Sequence, residues 1–517
     1  MPAQAVEHPA PHALSHERAV SPGPSRPARP GNPELKLALA GLALITLLRM
    51  VVAAVTPLSP DEAYYWVWSR ALAPSYLDHP PMVALWIRAG TLLAGDTAFG
   101  VRLSAPISAA AGSALLAQAG DLLLPGRNTG IVAAALLNAT LLFGAGAVII
   151  TPDTPLLFFW TATLWALARF LQTRRGARLL MAGLMAGLAS DSKYTAILLG
   201  PGALIWVLAV PSLRVWLKRP QPWLAAFLSA SLFAPVVLWN AEHAWVSFAK
   251  QGGRAGAWDP ARSLQFLSEL IGGQAGLATP LIFVLCMAGV AHATARAFRD
   301  RDPACTLLSA LSFLPILIFL QHAIGDRVQA NWPAIIYPAA AIAGAGLLHG
   351  FWLRLRAPAI VLGLALGAAV YAQAIAAPVS LSPHIDPTLR QLAGWDGLAK
   401  EVTQVANERN ASFVAADEYG LAAELARSLP QGLPVLGVDP RWELFALPRM
   451  PVNGQPGLLV RTTRRKDDIN QNTWREEQEV ATIARRRDGN TAETYRVFRV
   501  VGGSNSETRL PSRQNNY

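Results

Sequence analysis

The sequence predicts a polytopic, all-α membrane protein that carries a small α/β domain at its C-terminal end. Three observations carry that expectation. Of 517 residues, 52% are hydrophobic and only 15% charged, whereas soluble domains carry about 25% charged residues; the mean hydropathy is +0.31. The charge is also unevenly spread, with long stretches between Leu35 and Gln373 almost free of it and polar sequence at both ends. Finally, the basic residues recur in alternate loops, as loops facing the cytoplasm require. Lys and Arg number 44 against 33 Asp and Glu, a net charge of +11. In a membrane protein that surplus belongs to cytoplasmic loops and anionic lipid rather than to nucleic acid. Two cysteines, Cys286 and Cys305, exclude a disulfide scaffold and a multi-cysteine metal site.

Residues 1–33 are rich in Pro, Ala, Ser and His and hold neither the apolar core nor the cleavage site of a signal peptide, so they read as a disordered cytoplasmic tail. Membrane segments follow. A spanning helix needs roughly 20 apolar residues, and about eleven stretches qualify: 35–55, 100–120, 129–150, 156–173, 179–191, 194–210, 222–240, 276–295, 305–321, 333–350 and 358–378. The fifth and sixth are short and flank the polar Ser190-Asp191-Ser192-Lys193, which reads as a hairpin turn sunk against a cavity. Arg127, the Arg174/Arg175/Arg178 group, Arg214/Lys218/Arg219, Arg296/Arg299/Arg301 and Arg354/Arg356 all agree with one orientation. It puts the N-terminus in the cytoplasm and everything after about Ala377 outside. Beyond Pro387 the pattern changes. Helical periodicity at 397–406 and 419–429 and strand-like runs at 412–416, 457–461 and 495–501 make an α/β domain of ordinary size. The expected division is therefore a tail over 1–33, a membrane domain over 34–378 and a periplasmic domain over 379–517.

The outer loops hold the chemistry. The first contains Pro60-Asp61-Glu62-Ala63-Tyr64-Tyr65-Trp66-Val67-Trp68 and then Asp78-His79-Pro80-Pro81. Pro60 before two acids reads as a helix start, where the dipole favours carboxylates. The aromatic run suits a helix in the membrane interface. Asp153 sits between prolines in Thr151-Pro152-Asp153-Thr154-Pro155, a pattern of ordinary turn chemistry on its own. Side is what joins them: Asp61, Asp78, Asp153 and Lys193 all map to the outer face. Paired carboxylates there supply a general base for a hydroxyl or amine nucleophile, while Lys193, Arg102 and His79 are cations for an anionic phosphate. A lysine in an intramembrane hairpin is a functional candidate by default, with snorkelling as its plainer alternative; Arg49, inside the first span, invites the same attention. The loop after 240 adds His243, Lys250 and Arg254 beside aromatics, suited to an anionic headgroup. Tyr64, Tyr65, Asp78, His243 and Arg254 complete the candidates for binding substrate or acceptor. No zinc spacing occurs and no cofactor is implied; the scattered carboxylates leave a divalent ion open without a ligand pattern to support it.

In order along the chain, Pro60-Asp61-Glu62-Ala63-Tyr64-Tyr65, Asp78-His79-Pro80-Pro81, Arg102-Leu103, Thr151-Pro152-Asp153, Ser192-Lys193-Tyr194 and Asn331-Trp332-Pro333 resemble bacterial glycosyltransferase family 39 over roughly residues 35–350. That family includes protein O-mannosyltransferases, aminoarabinose transferases of lipid A and galacturonic acid transferases of rhizobial lipopolysaccharide. The resemblance implies a GT-C fold in which a polyprenyl-phosphate sugar, lying in the outer leaflet, gives its sugar to an acceptor with inversion at the anomeric carbon. It implies a first-loop catalytic acid at Asp61 with Glu62 beside it, a second-loop acid at Asp153, and the buried lysine at Lys193. Where relatives often have lysine before the first-loop proline, this chain has His79, a titratable group in place of a fixed charge. Residues 379–517 resemble the variable soluble domain of some members and hold no usable motif. The expected activity is transfer of a sugar from a polyprenyl-phosphate donor to an envelope acceptor (lipid A, glycan, lipid or protein) at the periplasmic face of the bacterial inner membrane. The expected partners are that donor, that acceptor and the bilayer, without nucleic acid. The competing reading is a transporter or flippase of the lipid-linked intermediate. Transporters place ionisable residues near the bilayer midplane and often show repeated halves, whereas here the acids lie in outer loops and no repeat is evident. No Gly-x-x-x-x-Gly-Lys-Ser/Thr loop is present, in keeping with a donor already activated.

Overall fold

A computed structural model describes residues 33–126, 128–256, 260–471, 473–503 and 506–513, without the side chains of 253–256. The expected tail (apart from Pro33) and Arg127 lie outside the described residues, as does the side chain of Arg254. Among the described residues seven helices are long and apolar enough to cross a membrane: Pro33–Val55, Ala98–Leu123, Asp153–Thr173, Pro220–Glu242, Pro280–Asp300, Pro303–Gly325 and Gly350–Ala376. The pair Tyr194–Ala209 and Pro211–Lys218, bent by 113°, brings the number to eight if it forms one span. The first helix keeps Leu37 and Leu44 76% and 70% exposed, which only a lipid solvent tolerates along so apolar a segment.

The third, fifth and tenth expected spans are shorter helices, Thr129–Asn138, Gly176–Ser190 and Trp332–Ala345, and Met82–Ala94 is a further short apolar helix. The third differs most from the sequence reading. Its helix stops at Asn138, and Thr140 caps a separate turn, Leu141–Gly146, by accepting from Phe143 N at 3.1 Å. Asn138 is occupied sideways: its Oδ1 accepts from Arg49 Nη1 at 2.7 Å and its amide donates to Ser113 Oγ at 2.8 Å. Arg49 thus has hydrogen-bond partners within the bundle, Tyr371 among them. Small residues let the helices touch backbone to backbone, as membrane bundles favour. A Cβ on Gly183 would stand 2.3 Å from the Ala225 carbonyl oxygen, and one on Gly289 2.2 Å from Gly344 N.

After Ala376 the chain enters a seven-stranded sheet flanked by helices. In chain order its strands are β1 Val414–Ala416, β2 Val435–Gly437, β3 Arg449–Pro451, β4 Pro456–Thr462, β5 Trp474–Arg487, β6 Asn490–Gly502 and β7 Ser506–Arg509, in spatial order β3-β7-β2-β1-β4-β6-β5. β1 pairs in parallel with both β2 and β4, and the remaining pairs are antiparallel. Helices Trp395–Glu408 and Tyr419–Ser428 cover it, close to the helices expected there.

This domain shares a core with the first outer loop. Tyr64, Trp66 and Trp68 are buried in one cluster with Trp395, Leu398, Trp442 and Phe445. The interfacial aromatic belt expected over 64–68 is therefore corrected. Tyr64 meets Trp442 edge-on at 5.4 Å and Tyr419 at 4.6 Å, so these rings are the seam between membrane bundle and sheet domain.

Candidate active site

The first-loop acids sit on the helix Pro60–Arg70, whose start is fixed by a complete capping box: Ser59 Oγ accepts from Glu62 N, and Glu62 accepts from Ser59 N at 3.0 Å. The two neighbours Asp61 and Glu62 then point into different surroundings. Glu62 is fully buried and takes Arg102 Nε and Nη2, both at 2.6 Å, and Ile150 N at 3.0 Å. Arg102 directs its other donors at Thr56 O and Oγ1, both at 2.8 Å, and Pro57 O at 2.7 Å. A guanidinium has five donors, and these are engaged inside the protein. The expectations that Arg102 holds a donor phosphate and that Glu62 takes part in catalysis meet this arrangement. It makes them a buried brace tying the acid helix to the end of the first span and, through Ile150, to the loop that carries Asp153.

Asp61 faces outward into a cavity of about 310 Å³ that it lines together with Asp153 and Asn331. Among the described residues its hydrogen-bond donor is the Tyr419 hydroxyl, at 2.9 Å. Asp61 is exposed to solvent, while protein atoms crowd its carboxylate. Burial pushes its pKa above the usual range, Asp78 and Glu62 add to that, and the Tyr419 hydrogen bond and Arg441 oppose it. The rest of the cavity wall is mostly apolar, with Ala109, Gly112, Leu137, Phe143 and Phe158, interrupted by Ser108, Thr151, Thr154 and Thr161.

Asp153 begins the helix Asp153–Thr173, in the turn where the dipole favours an anion. Both its oxygens receive Lys193 Nζ, at 2.7 and 2.8 Å, and Oδ2 also receives Asn331 Nδ2 at 2.5 Å. Lys193 is 3% exposed; it does not snorkel, and its ammonium is an ion-pair partner of the second acid. The first-loop motif, the hairpin lysine and the Asn331-Trp332-Pro333 motif thus converge on one cavity mouth.

Asp78 gathers the remaining cations. Its carboxylate is ion-paired with Lys250 and accepts from Arg441 Nη1 at 3.2 Å and from the Tyr64 hydroxyl at 2.9 Å. Burial alone would raise its pKa, but Lys250, Arg441 and the neighbouring His79 outweigh burial and hold it below the ordinary value. Lys250 arrives there because Ala244 and Trp245 take left-handed backbone conformations (φ 52° and 59°) that reverse the chain after Pro220–Glu242. Gln251 Nε2 adds a bond to the Asp78 carbonyl at 3.0 Å. Tyr64 and Tyr65 are buried, and the Tyr64 hydroxyl is engaged by Asp78, so they support the site from behind. His243 lies apart from it, stacked on Trp239 with its Nδ1 2.8 Å from the Trp239 carbonyl at a helix end.

Sequence reading missed two participants, Tyr419 and Arg441, both from the C-terminal domain. Arg441 stacks over the Tyr419 ring at 4.0 Å and over Tyr64 at 5.4 Å. Neither belongs to a motif. Among the described residues no three His, Cys, Asp or Glu side chains gather as a metal site.

The chain as a whole is similar to known proteins. Residues 78–239 match the family model described as dolichyl-phosphate-mannose-protein mannosyltransferase. A lipid A galacturonosyltransferase, RgtD of Rhizobium johnstonii, is 26% identical over 419 residues, which cover 78% of this chain and 86% of the relative. The crystal structure of ArnT from Cupriavidus metallidurans bound to undecaprenyl phosphate superposes with a TM-score of 0.56 at 16% identity, over 90% of this chain and 98% of that one. Its apo state gives 0.55. These two solved structures and this chain are alike in fold. The resemblance to glycosyltransferase family 39 holds.

Proposed function

We propose, from this likeness to glycosyltransferase family 39, that the protein moves a sugar from a polyprenyl-phosphate donor to an envelope acceptor, with inversion, at the periplasmic face of the bacterial inner membrane. One observation carries the reading: a mostly apolar cavity has Asp61 and Asp153 among its lining. An isoprenoid chain suits the walls and a sugar phosphate suits the acids and nearby cations. The transporter reading finds no comparable support.

In the transfer, the acceptor hydroxyl oxygen bonds to the anomeric carbon while the bond from that carbon to the phosphate oxygen breaks. Its electron pair leaves with the polyprenyl phosphate, and the hydroxyl proton passes to a carboxylate. Partners separate the two candidates. Asp153 is neutralised by Lys193 and anchored by Asn331, whereas Asp61 is reached from the cavity and receives one tyrosine hydroxyl. Asp61 is the general base and the Asp153–Lys193 pair orients the sugar. The donor phosphate goes to the cations around Asp78, with Lys250 and Arg441 as fixed charges and His79 beside them, because Arg102 is already saturated. Glu62 and Arg102 are positioning residues.

The same reading keeps eleven spans, with the three short helices and the bent pair counted as crossings. It keeps the division into a tail, a membrane domain over 34–378 and a periplasmic domain over 379–517. The likeness to RgtD supports galacturonic acid as the sugar and lipid A as the acceptor. The test is reconstitution of the full chain in vesicles with lipid A and radiolabelled undecaprenyl-phosphate galacturonic acid. Label on lipid A is the expected outcome. Label that crosses the bilayer still attached to the polyprenyl phosphate overturns the transferase reading, and transfer of aminoarabinose in preference overturns only the choice of sugar.

A further inference from the structure

We propose that Tyr419, delivered by the C-terminal domain, is a positioning residue for the transfer: its hydroxyl holds the Asp61 carboxylate, and Arg441 braces its ring. This deepens the assignment of Asp61 as general base and rests on it. The residues meet across 358 positions of sequence, and the contact is constructed from both sides. On the domain side, Tyr419 is the first residue of the helix Tyr419–Ser428. Gly420 follows it and lies so close to Pro60 that a Cβ there would stand 2.7 Å from the Pro60 Cβ. The starts of two helices, Pro60–Arg70 and Tyr419–Ser428, therefore abut with no side chain between them, and the tyrosine hydroxyl reaches Asp61 Oδ1 at 2.9 Å.

The ring is clamped as well. Tyr64 packs on one side at 4.6 Å, and the Arg441 guanidinium lies 4.0 Å from the ring centre while its Nη1 contacts Asp78. Burial, with the charge of Asp61, raises the phenol well above its ordinary pKa, so it stays a donor throughout the working range. A phenol that only donates favours the ionised carboxylate over the acid. The groups facing Asp61 are Glu62 and Tyr65 on its own helix, Asp78 from the following loop, Tyr419 from the domain helix and Arg441 from the segment Pro440–Leu444. Of these, Tyr419 and Arg441 are the two that oppose its protonation, and both come from the domain. An enzyme without this domain contact keeps the base but loses its hold on the proton balance.

The experiment compares pH profiles of kcat and KM for the full chain in vesicles with undecaprenyl-phosphate galacturonic acid and lipid A. Three chains are compared: wild type, Tyr419→Phe and Asp61→Asn. In Tyr419→Phe the carboxylate loses its donor, so its pKa rises. The acidic limb of kcat should move up by about one pH unit, with most of the rate regained above it and KM little changed. A wild-type limb in Tyr419→Phe, or a loss equal at every pH, overturns the proposal while Asp61→Asn remains inactive and the base assignment stands. Activity retained by Asp61→Asn overturns the base assignment itself, and this proposal with it.

Discussion

Asp61 and Glu62 are adjacent, and a single-residue difference in direction gives them opposite duties. Asp61→Asn should leave a folded protein whose turnover falls about 10²-fold or more, the usual share of a positioned base. Glu62→Gln removes the charge that answers a fully buried Arg102; breaking such a pair costs about 3–5 kcal/mol and should appear first as lost thermal stability in detergent. A Glu62→Gln protein as stable as wild type, merely slow, would return Glu62 to the chemistry. Lys193→Met should likewise destabilise, because it strands Asp153 among mostly buried atoms. Adding Asp153→Asn should restore much of that loss without restoring activity, and a double variant less stable than either single one would refute the pairing. The acids and the lysine were legible because residue type and outer-face position suffice to single them out. The engagement of Arg102 was not, since its partners at 53, 56, 57 and 62 are set by how the first span ends. Tyr419 and Arg441 carry no local signal whatever; their meaning exists only once the sheet domain is docked.

Elements were legible where one rule dominated. Long apolar helices followed from hydropathy, and the start at Pro60 followed from proline, acids and a serine cap. The break after Asn138 did not, because 129–150 is apolar apart from Thr129, Asn138 and Thr140, and the sideways pull of Arg49 on Asn138 and the cap from Thr140 are what interrupt it. In the sheet, β5 reads as charged because Arg475, Glu476, Glu477 and Glu479 are exposed, so its pairing with β6 was invisible to an apolar pattern, and the short β2, β3 and β7 offered too few residues to show one. Helix contacts in the bundle give a prediction of their own. Gly183 holds Gly176–Ser190 against Pro220–Glu242 at backbone distance, so Gly183→Val must push the pair apart. Overpacking typically costs about 1–3 kcal/mol, to be read as a lowered Tm in detergent. Gly146, beside which a Cβ would meet nothing within 4 Å, is the control for the added volume; equal losses at both would mean that the close crossing is not what the glycine serves.

At the scale of the whole molecule, orientation decides whether the chemistry is placed where a lipid-phosphate donor can reach it. The basic groups at 174–178, 214–219, 296–301 and 354–356 fall at one set of helix ends or the loops beside them, and the positive-inside rule assigns those to the cytoplasm. The acids at 61, 78 and 153 occupy the loops of the opposite set. The sheet domain cannot be assigned a side independently of them, since Tyr419 bonds Asp61, Arg441 bonds Asp78 and Gly420 abuts Pro60. Domain and acids must share one compartment. A reporter that is active only after export, fused after Leu381, should therefore be active, and a reporter active only in the cytoplasm should work when placed in the Arg174–Arg178 loop. The reverse pattern at both sites would invert the molecule and move its acids to the cytoplasmic face. A mixed pattern, with both sites on one side, would require an even number of crossings where the eleven-span reading has an odd one. Of the helices between these two points, the short Gly176–Ser190 and Trp332–Ala345 and the bent pair Tyr194–Lys218 are the ones in question, and such a result would revoke the crossing of one or of all three.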